Sequence, residues 1–265
     1  MSKIRSMMRS DFQRAFISPT FFVSVLSITL LQFFIIYSTQ EKVSSTLYIY
    51  YFVDANHTIG NLELVLGVIP YALSFCFDWK NYFIRPLVIR GTLKGYAISK
   101  FIMCVLSSTI ALILGNVIFI LLIRTKVPFV PTDVIYITEY IESITSGAFA
   151  VIAQQGHYFS YILMNLISTS LLGGLLSGIA LFISTKLTNV FITVFSPLIF
   201  YYFLVNISAR FNLLEYFDIE NIYSPFFNLG GITITFIYQL IFFVIVNIIV
   251  CMLFVKSIYR RVNNG

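Results

Sequence analysis

Between residues 78 and 100 the chain reads DWKNYFIRPLVIRGTLKGYAISK, and its charged chemistry concentrates there. Five of these side chains are basic (Lys80, Arg85, Arg90, Lys94 and Lys100), one is acidic (Asp78), and Trp79 is the only tryptophan in the protein. Cations interleaved with Trp79 and Tyr82 suit recognition of a partner rather than bond-making. Such a loop is either a connector that fixes topology or a docking surface for a soluble protein, and we read it as the second. Pro86 is expected to break any helix begun at Trp79, because a proline pushes the preceding residue, here Arg85, out of helical geometry.

Catalytic chemistry finds little to work with elsewhere. Cys76, Cys104 and Cys251 lie in or beside apolar runs with no paired spacing, so they read as small apolar filler rather than metal ligands. No glycine-rich phosphate loop ending in Gly-Lys-Ser or Gly-Lys-Thr occurs, so the chain is expected to hydrolyse no ATP itself. No ionisable residue falls in the middle of any apolar span, with Glu63 at an edge; ion-coupled carriers and intramembrane enzymes usually need one. Catalytic, cofactor-binding and metal-binding residues are therefore expected to be absent. The polar groups within the spans, Asn116, Asn165, Ser168, Gln239 and Asn247, read as interhelical hydrogen bonds.

The elements that must hold the 78–100 loop are membrane helices. Of 265 residues 58% are hydrophobic and only 11% charged, against about 25% charged in a soluble domain. The charges are confined to clusters between long apolar runs, which gives an all-α polytopic membrane protein rather than an alternating β-barrel. Six spans are expected, at 19–38, 62–77, 101–123, 158–184, 189–206 and 232–255. Ser18-Pro19 reads as a cap and first helical residue for the first. Pro70 is tolerated in the second and Pro197 kinks the fifth. Residues 39–61 read as a polar connection. Within 124–157, Ile137, Ile141, Ile144 and Ala148 mark a surface helix, and 207–231 reads as short helices dipping into the interface.

Ahead of the first span, residues 1–17 form an amphipathic helix. Ile4, Met7, Met8, Phe12, Ala15 and Phe16 share one face, with Lys3, Arg5, Arg9, Gln13 and Arg14 opposite. Such a helix is expected to lie among lipid headgroups with its apolar side in the membrane. A signal peptide fits less well, because the next apolar run is too long and no small-residue cleavage site ends it. The domain layout is thus 1–17, a transmembrane domain over 18–257 with the loop at 78–100, and a tail at 258–265.

Placing both ends of the chain, the 78–100 loop and the Lys186 turn on one side gathers 13 of the 17 basic residues there and two of the 11 acids. By the positive-inside tendency that side is the cytoplasm. Two rows of small residues, Ser107-Ala111-Gly115 and Gly174-Gly178, allow close helix packing, either inside the subunit or between subunits.

In its layout, and most of all in RSDFQRAFISPTFF (9–22) and FCFDWKNYFIRPLVIRGTLKGYAISKF (75–101), the sequence resembles the ABC-2 type permease family, membrane subunits of bacterial ABC exporters. Members of that family begin with a basic helix along the cytoplasmic face, and a serine-lysine pair opens their third span, as Ser99-Lys100 does here. The resemblance implies two six-span permease copies, identical or related, and two copies of a separate ABC ATPase that binds ATP and Mg. It makes Asp78–Tyr96 the coupling segment seated in the ATPase, with Asp78, Trp79, Lys80, Tyr82, Arg85, Arg90 and Lys94 at the contact. The connecting helix beside it would use Arg5, Met8, Arg9, Phe12 and Arg14. The expected setting is the bacterial cytoplasmic membrane with both termini inside, lipids as neighbours and no nucleic acid. The expected activity is export of an amphipathic peptide, drug or lipid-like molecule. A membrane scaffold or channel-like subunit that needs no ATPase is the alternative.

Overall fold

The computed structural model describes residues 2–39, 45–55, 61–84, 92–130, 141–142, 145–211 and 216–264, and among these the fold is helical throughout. In chain order the helices are α1 (Ser2–Phe16), α2 (Pro19–Thr39), α3 (Thr46–Ala55), α4 (Leu62–Val68), α5 (Ser74–Lys80), α6 (Leu93–Arg124), α7 (Ala150–Gln154), α8 (Tyr158–Ser184), α9 (Val190–Phe211), α10 (Ile219–Ile222) and α11 (Ile232–Asn264). Five of them, α2, α6, α8, α9 and α11, are long and apolar enough to cross a membrane. The protein is therefore built as a multi-pass membrane protein. Helix α8 is the most buried of the five and packs against α6, α9 and α11, while α9 and α11 leave most of their surface outward.

The expected second span is not one helix. It is drawn as α4 and α5 with turns over residues 69–73 between them, so five continuous spanning helices replace the expected six. Pro70 is the physical cause, since it has no N–H to donate to the carbonyl of Leu66 one helical turn earlier. That carbonyl is taken over by the Ser24 hydroxyl of α2 at 2.6 Å. Thr20 donates to the Pro70 carbonyl at 3.3 Å. The break is thus repaired by side chains of the neighbouring helix, as helix breaks in membranes require.

Other boundaries follow local chemistry. Ser18 Oγ accepts from the Phe21 N–H at 3.4 Å, as the Ser18-Pro19 reading expects. Thr92 caps α6 by accepting from Gly95 N–H at 3.1 Å, so this helix starts eight residues before the expected span and takes in Lys94, Ser99 and Lys100. Helix α5 ends at Lys80, ahead of Pro86. The Tyr82 N–H bonds the Trp79 carbonyl at 3.2 Å and the Phe83 N–H bonds the Asp78 carbonyl at 3.0 Å, a Schellman closure. Tyr82 occupies its left-handed position with φ 58°, where glycine is usual. At the other end of the chain, α11 runs on through the expected tail to Asn264. No glycine or proline interrupts residues 232–264, and Lys256, Arg260 and Arg261 lie where cations favour a helix C-terminus.

Residues 46–55, expected within a polar connection, form α3. Leu47, Ile49, Tyr50 and Val53 are buried, so this run is too short to span but long enough to pack on α2 and α6. Of the expected surface helix marked by Ile137, Ile141, Ile144 and Ala148, residues 137–140 and 143–144 lie outside the described residues; 141–142 are helical, but 145–149 are not, and α7 begins only at Ala150. The small-residue rows are occupied inside the subunit. A Cβ on Gly115 would lie 2.7 Å from Ile28 of α2, and one on Gly174 would lie 2.1 Å from the Thr109 hydroxyl of α6.

Candidate functional site

The most unusual side-chain arrangement sits where α1, the turn before α5, α5 itself and the start of α6 meet. Lys100 is 0% exposed, and its Nζ lies 2.8 Å from Asp78 Oδ2 and 3.9 Å from Asp11 Oδ1. It also donates to the Tyr71 hydroxyl at 3.3 Å and sits over the rings of Tyr71 and Tyr96, 4.8 and 5.2 Å from their centroids. An ammonium group with no access to water requires this kind of enclosure, because an unpaired buried charge costs several kcal/mol.

Both carboxylates have every oxygen occupied. Asp78 accepts from Arg14 at 2.9 Å on Oδ1, and from Lys100 and Tyr96 (3.0 Å) on Oδ2. Asp11 accepts from Tyr71 at 2.5 Å on Oδ1 and from Ser99 at 2.6 Å on Oδ2. Two carboxylates face two cations, so the cluster is neutral as a whole. Lys100 and Arg14 together offset the cost of burying the Asp78 carboxylate. For Arg14, burial works against the charge, and its hydrogen bond and attraction to Asp78 prevail, raising the guanidinium. The side chains of the cluster are committed to one another, and what the arrangement can do is tie three helices together electrostatically.

Further contacts join this end of the bundle to the C-terminus. Trp79 stacks on Phe75 with ring centroids 6.0 Å apart, and the Arg261 guanidinium lies 4.3 Å from the Trp79 ring centroid. Arg261 also donates to the Thr185 carbonyl, and the Thr185 and Ser257 hydroxyls are 2.6 Å apart. The N-terminal helix, the ends of the 78–100 segment, the turn before Lys186 and the C-terminal helix therefore meet at one end.

The residues expected at a contact surface divide between surface and interior. Lys80, Tyr82, Lys94, Arg5, Arg9, Phe12 and Arg14 are exposed, whereas Asp78 is 1% exposed and Trp79 is half-buried. Arg85 and Arg90 lie outside the described residues. Helix α1 also differs from expectation in what covers its apolar side. Met7, Met8, Ala15 and Phe16 pack on the protein core, and Asp11 lies among them, while Phe12 stays outside. The reason is Asp11 itself, which faces inward to meet Tyr71 and Ser99. Asp11, Tyr71, Tyr96, Ser99 and the inward direction of Lys100 were not read from sequence. An acid on the Met7–Ala15 side of a basic helix was the available signal.

The middle of each expected span holds no ionisable residue, but two charged side chains at span ends are drawn into the fold. Lys100 is seven residues inside α6, fully enclosed, and Asn116 of the same helix donates to Glu63 Oε2 at 3.0 Å. Of the span amides, Asn116 and Gln239 do cross between helices, Gln239 accepting from Ser168 at 2.8 Å. Asn165 and Asn247 instead donate to carbonyls of their own helices. No protein-family model matches the chain, and neither a curated protein nor a solved structure matches it.

Proposed function

We propose that this chain is the membrane subunit of an ATP-driven ABC exporter, moving an amphipathic molecule while a separate ATPase hydrolyses ATP. The observation that carries this reading is the Asp11–Arg14–Asp78–Lys100 cluster. It clamps α1 to both flanks of the 78–100 segment, so a push on that segment moves α1, α5 and α6 together. Exposed Lys80, Tyr82 and Lys94 offer the partner cations and a ring beside the clamp. The sequence has no phosphate loop, and in this reading ATP is therefore hydrolysed by a separate subunit.

In this reading the sixth crossing is α4, its turn and α5 taken together. Nineteen helical or near-helical residues, 62–80, rise about 28 Å, close to the roughly 30 Å of hydrocarbon. Helix α1 lies along the cytoplasmic surface, both termini are inside, and two copies pair around the cargo path. The test is to tag the C-terminus, solubilise native membranes gently and identify what co-purifies by mass spectrometry. An ABC ATPase recovered in about equal amount is the expected result. Recovery of the chain alone, under conditions that keep a known ABC complex whole, overturns the reading and leaves a membrane scaffold.

A further inference from the structure

Helix α11 carries its outward residues in one row. Ile234, Ile237, Ile241, Ile245, Ile249 and Met252 recur every three or four positions, and each is between 48% and 59% exposed. From Ile234 to Met252 the row rises about 27 Å, close to the roughly 30 Å of hydrocarbon. The same row then changes character. Lys256, one turn beyond Met252, and Arg260, one turn beyond that, are both exposed, with Tyr259 beside them. Lys256 thus stands about 6 Å past the apolar stretch, at the depth of lipid headgroups. Arg260 lies a turn further out, but side chains on a helix lean toward its N-terminus, here back toward the membrane.

A second element brings charge to the same place. The Thr185 and Ser257 hydroxyls, 2.6 Å apart, fasten the turn between α8 and α9 to α11. Arg261 reinforces that joint by donating to the Thr185 carbonyl and to Thr188 Oγ1. Lys186 and Lys256 adjoin Thr185 and Ser257 in the chain, and Lys186 is also exposed. No carboxylate among the described residues pairs with Lys186, Lys256 or Arg260. The segments that meet at this end of the bundle hold only two acids, Asp11 and Asp78, and both are buried beside Lys100. With the acids drawn inward, the surface left at this end is basic.

We infer that this face of α11 holds an anionic phospholipid, its acyl chains along the Ile245–Met252 part of the row and its phosphate met by Lys256, Arg260 and Lys186. The ammonium and guanidinium groups supply both charge and N–H donors to the phosphate oxygens. A zwitterionic lipid offers the same phosphate but sets a quaternary cation beside it, so the net attraction favours the anionic lipid. A second copy of the chain is a poorer occupant. Two copies in one membrane are related by a two-fold axis along its normal, so this row would meet its own image and bring Lys256 and Arg260 of both copies together. The inference needs only a chain that crosses the membrane, and no ATPase.

The test mixes the full chain, purified in detergent, with equal amounts of dioleoylphosphatidylglycerol and dioleoylphosphatidylcholine, and counts the retained lipids by native mass spectrometry. Each cation near an anionic surface strengthens binding about fivefold, so a preference for phosphatidylglycerol of about tenfold or more is expected. Lys256→Gln with Arg260→Gln should cut that preference to about threefold or less, while Lys256→Arg with Arg260→Lys should keep it. Equal retention of the two lipids, an unchanged preference in the double glutamine variant, or displacement of phosphatidylglycerol by an equal concentration of glycerol 1-phosphate would each overturn the proposal. So would a dimer that retains no phosphatidylglycerol, which would give the row to a second copy. Should the glutamine variant fail to fold, the two-lipid comparison and the glycerol 1-phosphate competition on the unaltered chain decide. Because this assay reads bound lipid and co-purification reads the ATPase, failure of one inference is distinguishable from failure of the other.

Discussion

Replacing Lys100 by methionine tests the clamp most directly. Methionine keeps the stem volume and removes the charge, leaving Asp78 buried at 1% exposure with Arg14 and Tyr96 as its remaining partners. At 2.8 Å the Lys100–Asp78 attraction is worth about 6 kcal/mol gross with an effective dielectric near 20, most of it offset by the ammonium's own desolvation. What the variant loses net is the compensation of Asp78 and the two ring contacts. Breaking a buried pair from one side costs about 3–5 kcal/mol. At about 2–4 °C per kcal/mol, thermal unfolding in nanodiscs should fall by roughly 6–20 °C. Arg14→Gln is the control, since Arg14 is half exposed and its pair is worth only about 0–1 kcal/mol. Pairing Lys100→Met with Asp78→Asn should restore part of the loss, because the stranded carboxylate is gone. A Lys100→Met protein that melts within about 2 °C of wild type would refute the argument that the cluster holds these helices.

Tyr82→Gly should raise the melting temperature by a few degrees, since a non-glycine residue in the left-handed region costs about 1–2 kcal/mol, partly offset by glycine's chain entropy; a drop would mean the exposed ring carries more than its backbone strain. Gly115→Ala should destabilise by about 1–3 kcal/mol, because its methyl meets Ile28 Cβ at 2.7 Å; an unchanged melt would show α2 free to retreat. Arg85→Glu with Arg90→Glu should abolish transport while leaving membrane insertion and melting unchanged, and transport at the wild-type rate would remove the 78–100 segment from the coupling role.

What the sequence by itself determined is the class of the protein and much of its punctuation. Continuous apolar runs separated by charge clusters can only be satisfied by membrane helices, and Ser18-Pro19 marked a start that the structure keeps. These are local signals, carried by residues within one or two helical turns of each other. Tertiary structure decided how Pro70 divides the second crossing, because the Ser24 hydroxyl of another helix donates to the Leu66 carbonyl that Pro70 has no N–H to serve. It likewise decided that Lys100 turns inward. A lysine near the start of a span looks like an interfacial cation, and only the arrival of Asp11 from 89 residues earlier and Asp78 from 22 earlier makes its burial tolerable. Asn116 and Glu63, unremarkable 53 residues apart in the chain, became hydrogen-bond partners for the same reason. Burial and charge pairing are sums over neighbours, and the chain's order does not say who those neighbours are.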